Sequence, residues 1–250
     1  MKGVTMEFSN VYEDAKRAEA YSKLEFPHTY YLSYRDLPKI ISDHVKGTNA
    51  LDFGCGTGCS TRFLQRLGFT TVGVDTSEAM LKKAREIDPK GDYRIIGDGD
   101  FSQFEHNVFN LVLSAFTFDN IPTMEKKVQI FVELRNILKS EGIIVNLVSS
   151  PEIYTHEWAS FSTKDFPENK HTKSGDKVRI IQKDTKDKTP IIDIIWTLEY
   201  YHETYEKAGL EIVETYEPLA KTNEPYRWIN ETRIPPCTIY VLQSEYRTFE

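Results

Sequence analysis

The sequence predicts an α/β fold with a mostly parallel sheet and helices on both of its faces. Three observations carry this. Strand-like apolar runs alternate with amphipathic helical patterns from Asn49 to Val148. A turn with three glycines at alternate positions joins the first of those strands to the first helix. Asn110 to Phe116 is almost continuously apolar, as strands covered on both faces are. At 250 residues the chain suits one large domain with an insertion better than two independent domains.

Residues 1–46 precede the first core strand and read mostly as helix. Tyr12, Ala15, Ala18 and Tyr21 recur at helical spacing, a tyrosine-dense stretch follows Pro27, and Ile40, Ile41 and Val45 suggest a helix packed on the sheet edge. Asn49 to Phe53 is the first strand. Past the glycine turn, Phe63, Leu64 and Leu67 mark a helix that Gly68 stops. Thr70 to Asp75 is the second strand, and Thr76 or Ser77 caps a strongly helical run to Glu86. Tyr93 to Ile96 forms a short third strand that ends in Gly97-Asp98-Gly99. After the fourth strand, Glu125 to Leu138 is amphipathic, with Val128, Phe131, Val132, Leu134, Ile137 and Leu138 inward. Ile143 to Val148 is the fifth strand.

The alternation stops at Ser149. Pro151 to Trp158 is an aromatic and ionisable cluster directly after the fifth strand, and Lys164 to Ser174 is a polar loop. Lys177 to Gln182 and Ile191 to Thr197 then read as an antiparallel hairpin around a charged connector. A helix from Leu198 to Ala208, ended by Gly209, precedes two last strands, Leu210 to Tyr216 and Thr238 to Gln243.

The chemistry concentrates at Asp52-Phe53-Gly54-Cys55-Gly56-Thr57-Gly58. Glycines at 54, 56 and 58 admit positive φ and remove the Cβ atoms that would hold a ligand off the main chain. Asp75 ends the next strand, where mononucleotide-type α/β units place an acid against the ribose hydroxyls. A dinucleotide site wants G-x-G-x-x-G so that a pyrophosphate sits on the helix N-terminus. Here the spacing differs, and the Asp52 carboxylate would repel a pyrophosphate and attract an ammonium group.

Leu51 to Gly58 followed by Val74-Asp75 resembles motifs I and II of the class I S-adenosylmethionine-dependent methyltransferases. The likeness covers residues 45–148 closely and 199–244 loosely, and the acidic charge, aromatic N-terminal segment and inserted hairpin suit the small-molecule type. It implies a Rossmann-like, seven-stranded, mostly parallel sheet. It also implies a helical lid over residues 1–46, a methyltransferase-like domain over 47–250, and a substrate cap at 151–197. S-adenosyl-L-methionine would be the cofactor and S-adenosyl-L-homocysteine its product. By this resemblance the lid contributes Tyr21, Tyr30, Tyr34 and Arg35, while Met80 meets the adenine. Asp98 would accept from the adenine amino group, with Asp100 as fallback; Gly99 adjoins it and Phe101 covers the ring. Asp52, the turn with Cys55, Thr76 after the ribose acid, and Ala115 and Phe116 at the end of the fourth strand complete the expected donor site. The family often carries histidines after that strand, whereas this chain has Asp119 and Asn120.

Methyl transfer is an in-line displacement at carbon, so the protein's main task is to position a nucleophile and exclude water. His156 is the candidate base, with Tyr154, Glu152 and Glu157 beside it, and His28 is a second. No His and Cys spacing points to zinc, and the acidic residues form no metal loop. A net charge of -7 speaks against a nucleic-acid surface. Three cysteines are too few for a disulfide framework, and no apolar run approaches a membrane span. A cytoplasmic enzyme with a small-molecule acceptor, monomer or homodimer, is therefore expected. Two other readings stay open: an enzyme that uses the sulfonium for cyclisation or elimination, and a non-catalytic nucleoside-binding module.

Overall fold

A computed structural model describes residues 26–97 and 99–245. Two short helices, α1 (Thr29–Arg35) and α2 (Leu37–His44), meet at Asp36, with a proline in the first turn of α2. The alternating region follows as β1 (Asn49–Phe53), α3 (Cys59–Arg66), β2 (Thr70–Asp75), α4 (Glu78–Ile87), β3 (Asp92–Ile95), β4 (Phe109–Ala115), α5 (Met124–Ile137) and β5 (Leu138–Ser149). An inserted sheet contains β6 (Phe161–Ser162), β7 (Lys177–Gln182) and β8 (Ile191–Ile194). The chain returns through α6 (Leu198–Lys207), β9 (Leu210–Tyr216) and β10 (Cys237–Ser244). The helical pattern expected through Tyr12, Ala15, Ala18 and Tyr21 lies outside the described residues.

The main sheet has seven strands in the order β3-β2-β1-β4-β5-β10-β9. Strands β1 to β5 pair in parallel, and β10 is antiparallel to both β5 and β9. Burial on two faces explains the apolar runs. Leu51, Phe53 and Val112 pack into one core with Phe131, Leu134, Tyr201 and Tyr205. Ala50, Leu111 and Leu113 alternate to the other, against Leu37, Ile40 and Leu64. The strand order reverses between β1 and β4, which opens a crevice at their carboxyl ends, the usual ligand position in such sheets.

Four details differ from the expected pattern. The buried side of α5 centres on Lys127, Ile130, Phe131, Leu134 and Ile137, leaving Val128 and Val132 half-buried. Strand β5 begins at Leu138, paired with Phe109, and a register shift takes up the residues between that pair and the next, Leu111 with Ile143. The expected hairpin is present as antiparallel β7 and β8, but a third strand, β6, extends it; β6 has only two residues, too short for any periodic signal. Strand β8 stops at Ile194, after which Trp196 turns into the main core. Among the described residues no helix is long and apolar enough to cross a membrane.

Candidate active site

The glycine turn takes left-handed conformations at all three glycines, with φ of 72° at Gly54, 52° at Gly56 and 78° at Gly58. Their reasons differ. A Cβ on Gly54 would lie 2.1 Å from Thr117 Oγ1, and one on Gly58 would lie 2.6 Å from the Tyr93 hydroxyl. A Cβ on Gly56 would meet nothing within 4 Å, so that glycine borders space the protein leaves open. The turn is tied to β2 twice over. Val74 O accepts from the N–H groups of Gly54 and Cys55, both at 2.9 Å, and Asp75 Oδ2 accepts from Gly56 N at 2.8 Å. Asp75 Oδ1 accepts from Ser77 N at 2.8 Å. Burial pushes the Asp75 carboxyl up, and these backbone donors oppose the rise.

Asp52 sits beneath the turn, 1% exposed. Its Oδ2 accepts from Ser60 Oγ at 2.7 Å and Thr61 Oγ1 at 2.6 Å, which ties β1 to α3. Its Oδ1 is buried without a partner. Burial pushes the carboxyl up to about 6, against the pull of the two hydroxyls.

Above the turn lies a cavity of about 580 Å³, within the range of roughly 300 to 1,000 Å³ typical of small-molecule sites. It brings together Gly54, Cys55, Gly56, Asp75 and Thr76 from the first two strand ends. Met80, Gly99, Ala115 and Phe116 close its sides, and Tyr30 and Tyr34 of α1 cover it. Four expected residues lie elsewhere. Asp52 and Gly58 support the turn from behind. Phe101 is in the core, its ring 5.7 Å from that of Phe53. Arg35 grips Asp36 through two nitrogens at 2.9 and 2.6 Å and Glu224 through a third at 2.7 Å, fastening the loop before β10. Tyr21 and Asp98 lie outside the described residues. The segment after β4 adds Thr117 and Ile121, as its position at a strand end implies, while sequence reasoning missed Lys126 and Ile130; the entry to α5 belongs to this wall because it follows the crevice strand β4.

Phe116 joins the site with a φ of 62°, a left-handed conformation uncommon for a bulky residue. Asn120 Nδ2 donates to its carbonyl at 3.4 Å, and its N–H donates to Leu147 O at 2.9 Å. Strain of this kind clusters at functional positions. Here it turns the ring out of β4 between two recesses.

The second recess, about 60 Å³, shares Tyr30, Phe116 and Asn120 with the first. Its remaining walls include Asp119, Tyr154, Phe161 and Asp193. Tyr154 is 2% exposed, its hydroxyl donates to Asp193 Oδ2 at 3.3 Å, and burial pushes that hydroxyl well up. Asp119 accepts from Ser149 N at 3.0 Å and from the Tyr201 hydroxyl at 2.9 Å. Behind it, buried Lys127 lies 4.1 Å from the Trp196 ring centre and 4.7 Å from that of Tyr201. Burial pushes Lys127 down to about 7, against the charge of Asp119, whose own carboxyl burial pushes up.

His156 lines neither recess. Its side chain is 38% exposed, with Nδ1 3.0 Å from Thr155 Oγ1 and 3.1 Å from Glu152 Oε2. Glu157 accepts from the N–H groups of Thr163 and Lys164 and so closes the loop before β7. His28 pairs with Asp184 at 2.9 Å. Asp193 was not singled out by sequence, although an acid inside Ile191-Ile192-Asp193-Ile194-Ile195 is a legible signal: a charge in a buried strand needs a reason. Among the described residues no group of three His, Cys, Asp or Glu side chains is arranged to hold a metal ion.

Comparison with known proteins bears on this crevice directly. Residues 51–146 match the family described as a methyltransferase domain. An uncharacterized methyltransferase of Geobacillus is 34% identical over 117 residues, which are 46% of this chain and 53% of that protein. A carboxy-S-adenosyl-L-methionine synthase of Chromohalobacter salexigens is 27% identical over 71% of this chain and 67% of its own length. The chain thus spans about half the length of several curated relatives it matches. Streptomyces venezuelae DesVI has the same fold, with a TM-score of 0.64 at 17% identity over 92% of this chain and 98% of that one. A putative S-adenosylmethionine-dependent methyltransferase of Listeria monocytogenes gives 0.61 at 20% identity over 86% and 99%. Fold and crevice are those of a Rossmann-like α/β domain with its ligand space at the carboxyl ends of the strands. Residues 51–146 thus match a methyltransferase domain, within a fold shared with S-adenosylmethionine-dependent methyltransferases, and S-adenosylmethionine is the cofactor this implies.

Proposed function

We propose that the protein transfers a methyl group from S-adenosylmethionine to a small-molecule acceptor, leaving S-adenosylhomocysteine. One observation carries the reading: the cavity on the glycine turn and the recess on the inserted sheet meet at Tyr30, Phe116 and Asn120. A donor and an acceptor held in those two spaces approach each other across one shared wall.

The residues present fit the cofactor. Gly56 keeps open space where a side chain would intrude, and Asp75 presents a carboxylate, steadied by two backbone N–H groups, to a ribose. Met80, Gly99 and Ile130 offer a largely apolar slot for the adenine. When bound, S-adenosylmethionine supplies a methyl group activated by the sulfonium. The chain's own part is positioning and exclusion of water. Tyr30 and Tyr34 cover the donor side from α1, consistent with a lid over residues 1–46. Phe161, Ile180 and Ile191 wall the acceptor side, consistent with a cap over residues 151–197.

The test is incubation with S-adenosylmethionine and a metabolite panel, read by mass spectrometry. S-adenosylhomocysteine together with an acceptor heavier by one methylene supports the reading. A second reading, in which the sulfonium compound is itself remodelled, draws on the likeness to the carboxy-S-adenosyl-L-methionine synthase. It requires a modified sulfonium nucleoside or methylthioadenosine as the product instead.

A further inference from the structure

The recess beside the donor cavity has a chemical bias. Among the described residues its walls carry two carboxylates, Asp119 and Asp193, and no Lys, Arg or His. The other polar contributions are hydroxyls, one thiol and the Asn120 amide. The aromatic contributions surround the junction: the Tyr30 ring lies 6.1 Å from Phe116 and 5.4 Å from Phe161, each edge to face. Ring faces and carboxylates both favour a cation and disfavour an anion. The two acids come from different parts of the fold. Asp119 follows β4 and has Lys127 behind it, whereas Asp193 is on β8 of the insertion and is held by the Tyr154 hydroxyl at 3.3 Å. At about 60 Å³ the space accommodates a head group, with the rest of the acceptor extending out of it.

Resting on the methyltransferase reading, we propose that the acceptor is an amine, received as its ammonium form by Asp193 with Asp119 nearby, and that Asp193 takes up the proton the nitrogen must lose. The balance is simple. One N–H proton passes to the carboxylate and on to water, and the freed lone pair forms the N–CH3 bond as the S–CH3 bond breaks. The sulfur keeps that bond's electron pair. Tyr154 orients Asp193 and is a positioning residue.

The experiment uses the full chain loaded with S-adenosylhomocysteine and three probes of equal shape, namely benzylamine, benzyl alcohol and benzoate, read by ligand-observed NMR and calorimetry near neutral pH. Benzylamine is expected to bind at least about tenfold more tightly than the other two, and Asp193→Asn to erase that preference while the affinity for S-adenosylhomocysteine stays unchanged. The wild-type comparison stands without the variant should the variant not fold. Equal or tighter binding of the alcohol or the benzoate overturns the proposal, as does no binding of the amine at millimolar concentration. Failure of the cofactor reading shows separately, as absence of S-adenosylhomocysteine binding in the same calorimeter.

Discussion

The N–H of Gly56 donates to Asp75 Oδ2 at 2.8 Å, so the glycine turn and the acid at the end of the next strand form one unit. The same carboxylate therefore holds the turn and faces the cavity. Asp75→Ala removes both roles. S-adenosylmethionine affinity is expected to fall at least about tenfold, since each charge-assisted hydrogen bond is worth roughly 1.5–3 kcal/mol. An unchanged Kd by calorimetry removes the ribose role.

Gly54 and Gly56 separate packing from binding. Gly54→Ala drives a Cβ into Thr117 at 2.1 Å in a left-handed conformation, and a loss of about 2–5 kcal/mol is expected in denaturant unfolding. Gly56→Ala meets open space, so its stability cost is about 1–2 kcal/mol from φ alone. Its larger effect falls on cofactor affinity. If both variants lose stability equally and Gly56→Ala binds cofactor normally, the open space at Gly56 is not the donor site.

Asp52 imposes a pH dependence on folding. Its carboxyl rises to about 6 in the folded protein from an ordinary value near 3.8, so between those pH values the folded state holds more protons than the unfolded one. Stability from this group is full below about pH 4 and declines as pH rises through 6, by roughly 3 kcal/mol at most. Asp52→Asn cannot titrate. Urea unfolding of the variant between pH 4 and 7 is expected to lack that decline relative to wild type, and parallel curves for the two proteins contradict the assignment.

Tyr154 and His156 make a paired test two residues apart. Tyr154→Phe removes the hydroxyl that donates to Asp193 at the acceptor recess, so kcat/KM for the acceptor is expected to drop about tenfold with cofactor Kd unchanged. His156 reaches neither recess, and His156→Ala is expected to keep turnover within about twofold of wild type. The opposite pattern returns the base to His156.

Most of the donor half was legible in the chain. Three glycines at alternate positions, an acid before them and an acid ending the next strand are local chemistry, and sheets of this kind open their ligand space where strand ends meet. The acceptor half was not. Asp193 is an acid in an apolar strand, but its meaning depends on Tyr154, 39 residues away, and on Tyr30 across the crevice. His156 attracted notice as an ionisable group near the right strand end, yet a turn at Thr155 carries it outward to Glu152. Phe101 and Gly58 were read as ligand contacts, and packing on Phe53 and Tyr93 takes them into the framework.

By itself the sequence determined the sheet, its order of strands and helices, and the cofactor class. Apolar period, glycine spacing and strand-end acids are short-range features that act through the backbone nearby. Tertiary structure alone decided which glycine borders empty space, which tyrosine is buried, and that two carboxylates from separate elements share one recess. Those are facts of long-range packing: the side chains concerned are brought together only when the inserted sheet, α1 and β10 close on the crevice, and no periodicity in the chain encodes that meeting.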